Sequence, residues 1–170
     1  AVTTITLDAP LKFYYAGANP ENVGTKKIEM RAAVGNLSRN IVIRGFDNGY
    51  QGTVLVADFK DYNTSSGLPA DRTGVANMSN VEIAYCGQGD LSRAGLRIER
   101  NSVLSTFSSI VIRNSATYGV FMQVALNVKI ENSVIFDNYR HGIFVTKSTN
   151  VHLHGVYVVA TRPRSGIEDI

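Results

Sequence analysis

The chain has 170 residues, 44% of them hydrophobic and 18% charged, with a net charge of +3. That is one domain's worth of sequence with enough apolar content for a core, which excludes a disordered chain. No apolar run reaches the roughly 18–20 residues of a membrane helix, and the single cysteine, Cys86, excludes an internal disulfide framework.

In chain order, Thr4-Ile-Thr-Leu and Leu11-Lys-Phe-Tyr-Tyr are strand-like, and residues 17–25 form a turn-rich loop. Residues 1–39 are expected to lead from a preceding domain into residues 40–170. From position 40 short apolar-polar-apolar runs follow one another, with no stretch of helical periodicity. One class opens on a small polar residue: Asn40-Ile-Val-Ile, Asn80-Val-Glu-Ile, Ser109-Ile-Val-Ile, Asn127-Val-Lys-Ile and Asn150-Val-His-Leu. The other opens on glycine: Gly52-Thr-Val-Leu, Gly95-Leu-Arg-Ile, Gly119-Val-Phe-Met and Gly142-Ile-Phe-Val, with Gly166-Ile-Glu-Asp as an imperfect last member. Glycines 95, 119, 142 and 166 stand 24, 23 and 24 residues apart. Such a period, with two or three strands in each, predicts an all-β, single-stranded parallel β-helix of about five coils.

Strand alternation then predicts the core. Ile41, Val81, Ile110, Val128 and Val151 form one expected inward stack; Ile43, Ile83, Ile112, Ile130 and Leu153 form the next. Leu96, Val120 and Ile143, with Ile98, Met122 and Val145, fill another wall. Asn114 and Asn132 are expected to stack as an asparagine ladder. Cys86, Ser115 and Ser133 are expected to share one turn position, which makes Cys86 a small turn residue rather than a catalytic thiol. Residues 58–79 carry no clear strand and read as a long inserted loop; a shorter insertion is placed at 99–107.

Several groups are candidates for function. Phe121 and Phe144 should stand outward, one above the other. They suit sugar stacking or packing against another chain, and equally cover by a loop of the same chain. His152 and His154, at i and i+2, could form a metal or acid–base pair, but read chiefly as a solvated face because no third ligand has a place beside them. Outward columns are expected to run Arg113–Glu131–His154 and Glu82–Val111–Lys129–His152. Asp47, Asp58 and Asp61 lie in loops with no convergent acid pair, so catalytic residues, metal and cofactor are all set at none. Asn36-Leu-Ser, Asn63-Thr-Ser and Asn77-Met-Ser are N-glycosylation sequons. The pI is near 9.1, but the scattered Lys and Arg make no nucleic-acid stripe.

Arg31-Ala-Ala-Val-Gly-Asn-Leu-Ser-Arg-Asn-Ile-Val-Ile-Arg-Gly resembles the passage that follows the G8 domain in the fibrocystin family and the cell-migration-inducing hyaluronidases. Leu11-Lys-Phe-Tyr-Tyr-Ala-Gly resembles the strand before it, and Asn80-Val-Glu-Ile-Ala-Tyr-Cys-Gly-Gln the family's Gly-Gln coil. The resemblance covers residues 11–100; later coils match only as generic repeats. It implies a right-handed β-helix that is a piece of a larger, extracellular or cell-surface glycoprotein. In the hyaluronidases an Ile-His-x-His strand follows the Gly-Gln coil; here the strand reads Leu96-Arg97-Ile98-Glu99, with both outward histidines replaced. The expected function is therefore non-catalytic: adhesion, receptor or extracellular-fibre assembly, with glycan binding. Its partners would be other domains or neighbouring copies at the open coil ends. The alternatives are a polysaccharide-active enzyme and a self-stacking filament subunit.

Overall fold

A computed structural model describes residues 39–45, 52–88, 93–159 and 161, together with two strands near the N-terminus. The chain divides into two compact units, Ala1–Gly35 and Asn36–Ile170. In the first, β1 (Glu21–Val23) and β2 (Lys26–Ile28) pair antiparallel. β1 thus occupies part of the 17–25 segment expected to be loop. Leu11-Lys-Phe-Tyr-Tyr, Asp47 and Gly166 lie outside the described residues.

The second unit is a parallel β-helix with three walls. The first wall holds β3 (Ile41–Arg44), β8 (Val81–Ala84), β11 (Val111–Arg113), β14 (Val134–Phe136) and β17 (Tyr157–Val159). The second holds β4 (Val54–Ala57), β9 (Leu96–Glu99), β12 (Val120–Gln123) and β15 (Ile143–Thr146). The third holds β7 (Asn77–Ser79), β10 (Ser105–Ser108), β13 (Val128–Glu131) and β16 (Val151–His154). Within each coil the chain visits the walls in that order. Between β4 and β7 it makes a detour through an antiparallel hairpin, β5 (Phe59–Asp61) and β6 (Ala70–Arg72). First-wall strands begin at 41, 81, 111, 134 and 157, so the period settles to 23 once the insertions of the first two coils are passed.

The coils bend at corners where a residue adopts the left-handed conformation. Asn80, Ser109, Asn132 and Gly155 turn the chain from third wall to first; Tyr85, Asn114 and Asp137 from first to second; Arg100, Val124 and Lys147 from second to third. Asn, Asp and Gly take that conformation cheaply, which is why they punctuate the strands. Gly95, Gly119 and Gly142 have another cause. A Cβ at Gly119 would stand 2.7 Å from the carbonyl oxygen of Gly142, and one at Gly142 would stand 2.2 Å from Val158. The coils approach too closely there for a side chain.

The core runs along the axis. Ile83, Ile112 and Ile135 stack from the first wall, Leu96 with Val120 and Ile98 with Met122 from the second, and Phe107 with Ile130 from the third; all are at most 1% exposed. Full burial of each stabilises the fold by roughly 1.5–3 kcal/mol. Turn backbone inside the coil is satisfied by small polar side chains, as when the Asn138 Oδ1 accepts from the Ser115 amide at 2.9 Å.

Four expectations need correction. First, a coil has three strands where the sequence classes distinguish two. Val128, Ile130, Val151 and Leu153 therefore belong to the third wall, and the stacks of Ile41 and Ile43 continue through Ser133 and Val156, and through Ile135 and Val158. For the same reason Arg113 aligns with Ala84 and Phe136 rather than Glu131, and Glu82 and Val111 align with Val134 rather than Lys129. Second, Asn114 and Asn132 lie on different corners. The amide-to-amide contact is instead Asn150 Nδ2 to Asn127 Oδ1, at 2.6 Å. Ser133 is likewise out of line with Cys86 and Ser115, which align with Asn138. Third, residues 58–79 contain the hairpin and the wall strand β7, and residues 99–107 contain most of β10. Fourth, Thr53, not Gly52, aligns with Gly95, because Val54 pairs with Leu96.

Candidate functional site: the outer face of the second wall and its hairpin

In-register parallel strands repeat every ~4.8 Å, so each outward position becomes a column of side chains. On the second wall these columns read Leu55–Arg97–Phe121–Phe144 and Ala57–Glu99–Gln123–Thr146. Phe121 and Phe144 stack as expected, with ring centroids 5.5 Å apart and planes at 9°. Each turns a face on the other along the axis. Tyr118, on the corner leading into β12, sits 5.4 Å from Phe121 and 5.2 Å from Phe144, and His141 stacks on Tyr118 at 5.4 Å. Phe121 is therefore 7% exposed while Phe144 keeps 36%. The two readings of the ladder share the outcome: a turn of the same chain covers the lower ring, and the upper ring is partly open. Tyr118 and His141 went unread in the sequence, although each stands one residue before a repeat glycine and so shares a register position.

Arg97 and Glu99 project from the outer side of β9. The Arg97 Nη2 lies 2.6 Å from one Glu99 oxygen, and the Arg100 Nη2 lies 3.3 Å from the other. The Arg97 guanidinium also stands 6.0 Å from the Phe121 ring centroid. Glu99 is thus clasped between two guanidinium groups and is not presented as a free acid.

Beside this face rises the β5–β6 hairpin. Its register pairs Lys60 with Asp71, and strand alternation then gathers Asp58, Lys60, Tyr62, Asp71 and Thr73 on one side. Gly67, at φ +71°, closes the tip by donating its amide to the Thr64 carbonyl at 3.0 Å. The base is pinned by Asp58, whose two carboxylate oxygens accept from the Gly74 amide at 2.8 Å and from the Ser102 amide of the next coil at 2.9 Å. Burial pushes the Asp58 carboxyl up, but the hydrogen bonds from Ser102 and Gly74 outweigh it and hold the group below its ordinary value. Gly74 must be glycine, since a Cβ there would lie 2.1 Å from the Ala57 carbonyl oxygen. Between the hairpin and the Arg100–Ser102 corner lies a cleft of about 670 Å³. Phe59 and Tyr62 line it and are 60% and 70% exposed. Nothing in the sequence announced this cleft, because it depends on which coil the hairpin faces.

The other candidates fall elsewhere. His152 and His154 stand outward on the third wall opposite Lys129 and Glu131, and His152 Nε2 lies 2.8 Å from Asn150 Oδ1. Among the described residues no group of three or more His, Cys, Asp or Glu gathers as a metal site would. Cys86 is buried, and burial raises its thiol pKa. Asn63 is exposed beyond β5; Asn77 lies on β7, where its Oδ1 accepts from Thr106 Oγ1 at 2.6 Å; Asn36 is outside the described residues. Asp61 is paired with Arg72 at 3.1 Å, on the opposite side of the hairpin from the cleft face.

Residues 47–168 match the family model for the right-handed β-helix region. That span is more than half of the chain, and the chain belongs to this family. No curated protein and no solved structure matches it. No helix of the described residues is long and apolar enough to cross a membrane.

Proposed function

We propose that this right-handed β-helix is a non-catalytic segment of a fibrocystin-like, cell-surface or secreted glycoprotein, and that it acts by binding glycan through the hairpin side of its second wall. The observation that carries this reading is the Asp58-pinned hairpin with its exposed Phe59 and Tyr62. A hairpin that leaves two rings in water adds nothing to the coil's core; held by two hydrogen bonds at its base, it suits recognition. The state of the acids supports binding over hydrolysis. Glycoside cleavage needs two carboxylates converging on one bond. Glu82, Glu99 and Glu131 are each tied to an Arg or Lys of their own wall at 2.6–3.0 Å. Extracellular placement draws support from the family resemblance and from the exposed sequon at Asn63.

The test is to secrete the chain from a eukaryotic host and probe a glycan array. Binding is expected to be lost in Tyr62→Ser, with N-glycan found at Asn63. Incubation with hyaluronan and polygalacturonate, with and without divalent metal, should leave polymer length unchanged. Shortened polymer, or an array on which Tyr62→Ser and the native chain behave alike, would overturn the reading.

A further inference from the structure

We infer that the cleft beneath the hairpin takes a sugar ring bearing an acidic substituent, a carboxylate or a sulfate; the inference rests on the binding reading above. Its volume of about 670 Å³ lies within the range of small-ligand sites, roughly 300–1,000 Å³.

The charges of the cleft are not equivalent. Asp58 spends both oxygens on backbone amides, so it offers a ligand little. Lys60 and Asp71 form a loose pair at 3.6 Å, and their side chains are 62% and 85% exposed, so a ligand can part them. Arg100 touches Glu99 through one nitrogen at 3.3 Å and keeps 66% of its side chain exposed. Arg72 borders the cleft but is engaged by Asp61 at 3.1 Å, so it adds little. The available charge is therefore mainly cationic, set against the Tyr62 ring. An acidic group on Arg100 and Lys60 would place its sugar ring near Tyr62, with Thr73, Ser102 and Asp71 left to bond the hydroxyls. With one acidic group per ring seated on Arg100 and Lys60, the Asp71 carboxylate faces sugar hydroxyls, which donate to it, rather than the further anions a phosphodiester chain would bring. The Asp58 anchor matters here as a positioning group: it fixes the distance between the hairpin face and Arg100.

Titration calorimetry with three oligosaccharides of equal length tests this: one bearing uronate, one bearing sulfate, one neutral. At least one acidic ligand should bind about tenfold or more tightly than the neutral one, as expected for a charge-assisted contact. That preference should shrink as salt is raised. Lys60→Gln and Arg100→Gln should each weaken the acidic ligand by about tenfold and the neutral one little, whereas Tyr62→Ser should weaken both. Lys60 stands on the exposed hairpin, so its variant decides the matter if Arg100→Gln, at a left-handed corner, does not fold. Equal affinity for neutral and acidic sugars, or tighter binding of single-stranded RNA, would overturn the inference; the first would leave the binding reading standing. Depolymerisation of any ligand would overturn the binding reading itself.

Discussion

At Val124 the coil accepts a poor residue. It turns the chain from second wall to third at φ +54°, where the equivalent corners carry Arg100 and Lys147. A β-branched side chain is strained in that conformation, and the left-handed region costs most residues about 1–2 kcal/mol. Val124 is 38% exposed, so little packing is lost on replacing it. Val124→Asn is expected to stabilise the protein by about 0.5–1 kcal/mol in chemical denaturation. Gly119 is the opposite case. Its absent Cβ would meet the Gly142 carbonyl and Ile135 at 2.7 Å, and Asn138 at 2.8 Å. Gly119→Ala should destabilise by about 1–3 kcal/mol, while Gly52→Ala, with open space at its Cβ, should be nearly neutral. A Gly52→Ala as damaging as Gly119→Ala would show that the spacing of these glycines does not arise from coil-to-coil contact.

At the scale of elements, the hairpin is the part whose attachment can be switched off. Its base is tied to the next coil through the Asp58 carboxylate, held below its ordinary value of 3.8. A depressed carboxyl contributes stability above its unfolded pKa and loses it as pH falls through the folded one. Protection of hairpin amides should therefore be level from neutrality down to about pH 5 and be lost below about pH 4. Asp58→Ala should abolish that protection at every pH and admit protease between β5 and β6, with the coils intact; an unchanged digestion pattern would show that Asp58 is not the anchor. The hairpin also marks where sequence reading ran out. The glycine-led second wall was legible because every coil offers the same close-approach position. The third wall was half hidden: β10 reads Ser105-Thr-Phe-Ser, and its inward Ser105 breaks the apolar alternation, since it donates no bulk and bonds the Ala76 amide instead. Strand β14 is three residues long and opens directly from a corner, with only the inward Ser133 before it. The Phe121–Phe144 ladder was legible by register alone. The cleft was not, because Asp58 and Ser102 meet across 44 residues.

For the molecule as a whole, every coil is stabilised chiefly by its two neighbours, and the burial of inward residues records this. Ile83, Ile98, Phe107, Ile112, Met122 and Ile130, in the second and third coils, are at most 1% exposed. Towards either end the cover falls away: Val56 and Ile135, which lie against these coils, stay buried, but Ile41 is 56% exposed, and Val145, Leu153 and Val158 are 43–46% exposed. In a linear stack, local opening draws on the stability of the coil and its interfaces rather than of the whole chain. Hydrogen exchange on the 170-residue chain should therefore be slowest across β8 to β13 and faster by stages through β14, β15 and β16. A core substitution should act in the same graded way. Ile112→Asp buries an unpaired carboxylate between Ile83 and Ile135 and should prevent folding, at a cost above about 4 kcal/mol. Lys129→Asp, on the outer side of β13, loses only a half-exposed ion pair with Glu131 and should cost at most about 1 kcal/mol. An aspartate placed at two positions of one coil thus separates the inside of the stack from its outside. Uniform exchange rates along the chain, or equal damage at positions 112 and 129, would be incompatible with a solenoid whose middle coils carry its stability.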